Sequence, residues 1–415
     1  MPGLSLDTID IITNERYAAG GYPHEEWTFL RHEAPVWWTD RNVTHPFWAI
    51  TRHEDIVFLS KHPSRFLNGP RVAVFPRFGP PDDGEEIIHH LLTMDPPEHG
   101  ALRKLTSHRF TPRGLGRMQH DIETITSECL DEMTGDGSEQ EGNLVDLLSA
   151  PLPLQVLAEL LGVPRDMWRQ MFQWTNETAG AADPDYQLPG ERASQTAERA
   201  RTALFSFFSE LAEQRRANPQ DDIISVLANA EINGKPLSEK TLLSFYVLLL
   251  VAATHTTRNA ITGGFQALAE NPDEWRKLKD NPELIPSAVE EIVRWVSPVI
   301  QFCRTPVEDF ELRGEKIRAG ENMCLFYPSA NRDEAVFDKP FEFRVDRKPN
   351  RHMGFGIGEH FCLGANLARL EIRVVLRHLV ERLDEIEVTG PPEYVASSLL
   401  GGVKRLPVRY RMQAR

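Results

Sequence analysis

Residues 242–264 read LLSFYVLLLVAATHTTRNAITGG, and a helix built from them is apolar almost all the way round. Such a helix has no face to give to water, so it belongs in an interior. Its continuous apolar run, FYVLLLVAA at 245–253, is too short to span a bilayer, which makes that interior a protein core. A chain of 415 residues with 41% hydrophobic content is long enough to build one. The centre of the helix nevertheless carries Thr254, His255, Thr256 and Thr257. Buried polar groups need partners or a purpose.

Apolar helical periodicity recurs nearly end to end, and no linker, repeat or low-complexity tract interrupts it. This pattern predicts one domain over 1–415, mainly α with small β-sheets. The strands fall in a β-containing N-terminal subregion at about 35–65 (PVWWTD, FWAITR) and towards the C-terminus (FELRGEKIRAGENMCLFY, VKRLPVRYR). Two Gly- and Pro-rich breaks, 66–92 with one short helix and 178–191, are expected to act as lids over a pocket. The opening MPGLSLDTIDIITNERY lacks the basic start and apolar core of a secretory signal, so a cytoplasmic protein with no membrane span is expected. A net charge of -15 disfavours a nucleic-acid partner. The four cysteines show no CxxC spacing, which argues against a disulfide framework and against a cysteine-based zinc or iron–sulfur site.

One cysteine stands out, in FGIGEHFCLG at 355–364, just before the helical ANLARLEIRVVLRHL. A dinucleotide fingerprint fails, because the third glycine position counted from Gly356 is Phe361. A zinc site from His352, His360 and Cys362 has suitable ligand types but lacks a fourth ligand and the usual spacing. A thiolate on haem iron accounts for more of the residues. Backbone N–H groups and the positive end of the following helix would keep Cys362 deprotonated. Gly356, Gly358 and Gly364 would let a flat porphyrin approach, and Phe355 would shield the sulfur from water.

The stretch resembles the haem-binding signature FGxGxHxCxG of the cytochromes P450, with every fixed position filled. The resemblance extends over about 91–371 and implies that family's fold, with the long helix above the haem. It implies haem b with Cys362 as axial ligand and Phe355, Gly356 and Gly364 in the cofactor-binding loop. In MDPPEHGALRKLTSHRF, Asp95 and Pro96 suit a helix start, which puts His99 and Arg103 on one face. The family's HxxxR pattern implies that this pair holds a haem propionate, and Arg304 and His352 match further propionate contacts. Glu291 and Arg294 in AVEEIVRW match the family's ExxR pair, which Arg347 joins as a structural trio.

AATHTT at 252–257 is similar to the family's AGx(D/E)TT, with two departures. Ala253 replaces a glycine, and His255 replaces the acid associated with proton delivery. Thr256 matches the threonine of oxygen activation. His255 is expected either to relay protons with Thr256 or to turn away from the pocket towards a neighbouring partner.

The implied activity is a monooxygenase that inserts one atom of O2 into a hydrophobic terpenoid, steroid or fatty-acid-like substrate. Ala252, Ala253, Val299, Ile300, Phe302, Leu399 and Leu400 are the pocket candidates. NAD(P)H-derived electrons would arrive through a ferredoxin reductase and a ferredoxin, docked on a basic face of Arg103, Lys104, Arg109, Arg113 and Arg117. A monomer is expected. The missing acid keeps a peroxide-driven or non-oxidative haem-thiolate enzyme open, and a haem-based gas sensor behind it.

Overall fold

The long apolar segment becomes a helix of 32 residues, Glu239–Glu270, whose N-terminus is capped by the Ser238 hydroxyl accepting from the Thr241 N–H. The computed structural model describes residues 4–41, 44–75, 90–181 and 183–413. Among these it is the one helix long and apolar enough to cross a bilayer, well beyond the nine-residue run on which the sequence reading relied. It lies instead in the largest core, where Leu242, Phe245, Leu250, Ile261 and Phe265 are buried. The helices Pro151–Leu161, Ala193–Ala217, Ile285–Val296 and Ala365–Arg382 pack against it. Burial of this many large side chains, each worth roughly 1.5–3 kcal/mol, fixes the helix as the axis of the fold.

The strands near the N-terminus do not form a subregion of their own. Val36–Thr39 and Phe47–Ile50 pair antiparallel, and Met323–Phe326 then adds parallel to Phe47–Ile50. Gln301–Pro306 and Phe66–Leu67 complete the five-stranded sheet. A second sheet joins Leu383–Val388, Pro407–Met412 and Gln140–Asn143. Local alternation marked some of these strands, but their partners lie up to hundreds of residues away.

The helix Ile285–Val296 ends where Ser297 adopts φ 45°, and this turn sends the chain into the strand Gln301–Pro306. Ser297 is fully buried, with its hydroxyl donating to the Arg294 carbonyl and accepting from Asn331. The same helix carries the ion-pair trio. Glu291 accepts from Arg294 at 2.7 and 2.8 Å and from Arg347 at 3.1 Å on each oxygen. The remaining guanidinium donors go to the carbonyls of Asn331, Asp338, Lys339, Pro340 and Glu342. This geometry ties the helix to segment 331–347, which leads directly into the cysteine loop.

Candidate active site

A cavity of about 1480 Å³, counted to its open mouth, lies between the central helix and the cysteine loop. Ala252, Ala253, Thr256, Thr257 and Ala260 form one wall, and Phe355, Gly356, Cys362 and Gly364 form the facing one. Leu91, Leu92, Leu248, Val299 and Phe302 supply an apolar side.

Cys362 precedes the helix Ala365–Arg382, and its N–H donates to the Phe355 carbonyl at 2.9 Å. Its surface opens onto the cavity. The depth of the site pushes the thiol pKa up, while the Gly364 N–H and the charges of Arg103 and Arg369 oppose that rise. Arg369 lies with its guanidinium 4.4 Å from the Phe355 ring centre and is held by Glu290 at 2.6 and 2.9 Å.

Four cationic or basic side chains reach the cavity: His99, Arg103, Arg304 and His360. His99 and Arg103 come from one face of the helix Glu98–Ser107. That helix begins later than expected, because the Asp95 carboxylate instead accepts from the Asn68 and Gly69 N–H groups at 2.8 Å each. Arg103 donates to the Phe361 carbonyl at 2.7 Å, and Arg304 to that of Cys303 at 2.8 Å. Neither arginine has an ion-pair partner among the described residues. The buried His360 Nε2 has no hydrogen-bond partner. Burial, then His99, Arg304 and Arg103, push His360 down to about 3.

His352 is a correction. It does not line the cavity; its Nε2 pairs with Glu290 at 2.9 Å and its Nδ1 accepts from the Gly354 N–H. The histidine that faces the cavity is His360, the fixed histidine of the signature itself. Two further cavity residues, Glu371 and Asn68, and one residue outside the cavity, Glu290, were not singled out from the sequence. Glu371 is buried, and its Oε2 has no partner; burial pushes its carboxyl far up. Asn68 is buried with its Oδ1 unpartnered. Glu290, beside the ExxR glutamate, holds both His352 and Arg369; burial raises its pKa, but those two hydrogen bonds win and bring it down to about 2.

His255 is a second correction. It points away from the cavity, with its Nε2 3.1 Å from the Thr175 carbonyl of a neighbouring helix. Burial and then Arg258 push it down to about 3, so at neutral pH it is an uncharged packing residue. Thr256 does face the cavity, and its hydroxyl donates to the Ala252 carbonyl at 2.8 Å.

Of the other pocket candidates, Ala252, Ala253, Val299 and Phe302 line the cavity, whereas Ile300, Leu399 and Leu400 do not. Ile300 is fully buried in a separate core beside Trp27, Phe47 and Phe326. The strand begins only at Gln301; before it, the backbone is turned by the Val299–Leu400 bridge and by the Ile300 N–H donating to the Leu399 carbonyl. Leu399 and Leu400 contribute that backbone, not side chains.

The expected lids also change. Of the first expected lid, 66–92, Asn68, Leu91 and Leu92 line the cavity, while residues 76–89, with the short helix expected there, lie outside the described residues. The second break is tied down, since Lys404 binds Asp183 at 3.0 Å and Asp185 at 2.9 Å, and its described residues do not line the cavity. On the basic face, Arg109 and Arg117 both pair with Asp221, and Arg103 turns inward. Lys104 and Arg113 stay exposed there.

These residues fit haem. Uncompensated cations suit two propionates, and the orphaned His360 Nε2 needs a partner. A Cβ built at Gly364 meets nothing within 4 Å, so the space beside the sulfur is open. Zinc fits less well: among the described residues no group of three or more His, Cys, Asp or Glu is placed to hold a metal ion.

Comparisons with known proteins agree. Residues 21–393 match the family Cytochrome P450. The steroid C26-monooxygenase of Mycobacterium tuberculosis is 39% identical over 400 residues, 94% of this chain and 89% of that protein. The linalool 8-monooxygenase of Pseudomonas putida is 38% identical over 93% of this chain and 95% of its own. A Mycobacterium marinum cytochrome P450 solved with pseudoionone superposes with TM-score 0.89 at 35% identity, covering 98% of this chain and all of that one (100%). With the cysteine loop, the cation set and the central helix all in one cavity, the chain belongs to the cytochrome P450 family and is an oxygen-incorporating oxidoreductase.

Proposed function

We propose that this protein is a haem-thiolate monooxygenase that hydroxylates a C–H bond of a hydrophobic molecule of terpenoid, steroid or fatty-acid type. One observation carries the reading: a single cavity joins the Cys362 sulfur, a set of cations and an apolar wall. The steroid and linalool in the names of two relatives support the same substrate class.

In this reading Cys362 ligates the iron of haem b, and His99, Arg103, Arg304 and His360 hold the propionates. When bound, the haem supplies the centre at which O2 is reductively cleaved, and thiolate donation favours O–O cleavage. Burial raises the Cys362 thiol, and the Gly364 N–H, Arg103 and Arg369, which oppose that rise, would stabilise the thiolate that haem iron requires. Glu290 and His352 act one step back, by fixing Arg369 over Phe355.

On the opposite wall, the Thr256 hydroxyl spends its proton on Ala252 and presents lone pairs to the cavity. It can accept a hydrogen bond there and pass a proton on. Burial pushes the Glu371 carboxyl up with no cation to oppose it, which favours its neutral, proton-bearing form. Asn68 is the polar residue among the apolar side chains on that side of the cavity, and its buried Oδ1 has no partner. Electrons come from NAD(P)H through a reductase and a ferredoxin, which docks near Lys104 and Arg113.

The test starts with the absorption spectrum of the dithionite-reduced protein under carbon monoxide. A Soret band shifted far to the red, lost in Cys362→Ser, is the expected result; a histidine-type spectrum removes the reading. Turnover of hydrophobic alcohols and acids with ferredoxin, reductase and NAD(P)H is then compared with turnover by hydrogen peroxide. His255 faces away from Thr256's cavity side, and this favours one second reading, a peroxide-driven enzyme. Faster product formation with peroxide selects it.

A further inference from the structure

A second cleft, of about 960 Å³ counted to its open mouth, lies on the far side of the central helix, between that helix and the segment 17–24. Its walls are aromatic: Tyr17, Tyr22, His24, Trp295, Phe341 and Tyr394. Phe341 stands at the rim with 48% of its surface exposed, and its ring lies edge-on to His24 at 5.8 Å.

Arg332 also lines the cleft, only 2% exposed. It donates to the carbonyls of Arg294 and Trp295 at 3.0 and 2.9 Å, and its guanidinium sits 4.3 Å from the Trp295 ring centre. Its Nε has no partner, and no ion pair engages it among the described residues. The nearby carboxylate, Glu291, is already taken by Arg294 and Arg347. Three buried guanidinium groups therefore share one carboxylate, which leaves positive charge uncompensated at the cleft. His24 Nδ1 is a second buried nitrogen without a partner. At the other end, Gln266 donates to Glu270, an exposed acid.

We propose that this cleft is a second ligand site, for a small flat aromatic carboxylate, and that its occupancy acts on the substrate cavity through a shared wall. The acid group lies beside Arg332 and His24, and a small side-chain shift brings their orphaned nitrogens, buried just beneath the cleft surface, to it. The ring stacks among the aromatic side chains. Glu270 repels the carboxylate from the mouth and so sets the orientation.

The shared wall is backbone. Gly401, in the second cleft, donates its N–H to the Pro298 carbonyl at 2.9 Å, and Leu400 bridges Val299. Pro298 and Val299 both line the substrate cavity. Asn259 of the central helix ties in from the same side, donating to the Gly401 carbonyl at 2.9 Å. A ligand resting on Gly401 and Gly402 therefore stiffens the strand entry that shapes the substrate cavity.

The probe is 2-naphthoate, measured by equilibrium dialysis against the haem-loaded protein with the substrate cavity blocked by 4-phenylimidazole. One equivalent is expected to bind, with methyl 2-naphthoate weaker by at least about tenfold, as loss of one charge-assisted contact implies. Gln266→Trp, which fills the cleft from a half-exposed position without touching the arginine cluster, is expected to weaken binding by a similar factor. Arg332→Met is the second variant, kept apart because it also removes two carbonyl contacts. By linkage, 2-naphthoate must change the affinity for 4-phenylimidazole, read from the haem spectrum. No binding in the blocked protein, equal binding of the ester, or indifference to Gln266→Trp overturns the site. Binding with no effect on the imidazole overturns the effector role. The Gln266→Trp comparison also runs on haem-free protein, so its outcome stands apart from the monooxygenase reading.

Discussion

The rings of His99 and His360 lie 4.2 Å apart between centroids, tilted by 40°, one from the helix Glu98–Ser107 and the other from the turn before Cys362. His99 is secured by Glu359 at 3.3 Å, whereas His360 lines the cavity with its buried Nε2 left without a partner. An anion placed there gains a donor that is already oriented. His360→Ala is expected to speed loss of haem to apomyoglobin by about tenfold or more, the value of one hydrogen bond to a charged group. The red-shifted carbon monoxide band should survive, because Cys362 is untouched. His352→Ala should have a smaller effect, through Arg369 alone.

His255 gives a prediction of opposite character. Its folded pKa, about 3, lies below the ordinary 6.5, so the unfolded chain takes up the proton first. The stability associated with the neutral ring is full above about pH 6.5 and falls as pH drops towards 3, by up to about 1.4 kcal/mol per pH unit for this one group. His255→Gln keeps a donor for the Thr175 carbonyl and removes the titration. Urea midpoints of the variant should fall less steeply between pH 6 and 4 than those of the parent, at roughly one proton less. Coupling of electrons to product should be unchanged, since the ring does not reach the cavity.

What the sequence made legible followed local rules. The all-round apolar helix, the HxxxR face and the ExxR pair are spacings within one helix, and each pair or face lies as its spacing requires. What it hid depended on tertiary direction. Whether position 255 faces the cavity or the helix Trp168–Ala179 is a choice between two sides of an apolar helix that carries no polar face to announce itself. Ile300 went to the wrong side because the strand starts only at Gln301, after an irregular bridge at Val299. His352 and His360 both sit in one loop, and only the position of Glu290 decides which is occupied elsewhere.

Glu291 holds two arginines in a site where the side chains of all three are 4% exposed or less. Removing one partner from a buried pair costs about 3–5 kcal/mol, mostly because the other charge is left uncompensated. Glu291→Gln leaves Arg294, Arg347 and the neighbouring Arg332 with no carboxylate between them. The expected outcome is little folded protein at 37 °C and, in what is recovered, haem content well below stoichiometric. Arg347→Met should be milder, because Glu291 keeps Arg294 and the backbone donor of Arg344. A denaturant series on both variants orders them.

Two glycines of the cysteine loop are expected to respond differently to substitution. Gly358 has φ 78°, and a Cβ there would fall 2.3 Å from the Ser60 carbonyl oxygen. Gly358→Ala must strain the backbone and push a fixed carbonyl, so it should destabilise the haem-free protein by about 1–3 kcal/mol or more. Gly364 has φ -85°, which any residue adopts, and its Cβ would meet no atom within 4 Å. Nothing in the protein requires glycine at 364; only a cofactor in the open space beside Cys362 does. Gly364→Val should therefore leave the thermal midpoint of the haem-free protein nearly unchanged while sharply lowering haem uptake in a reconstitution titration. Equal uptake by Gly364→Val and the parent would mean that the open space belongs to something other than the haem.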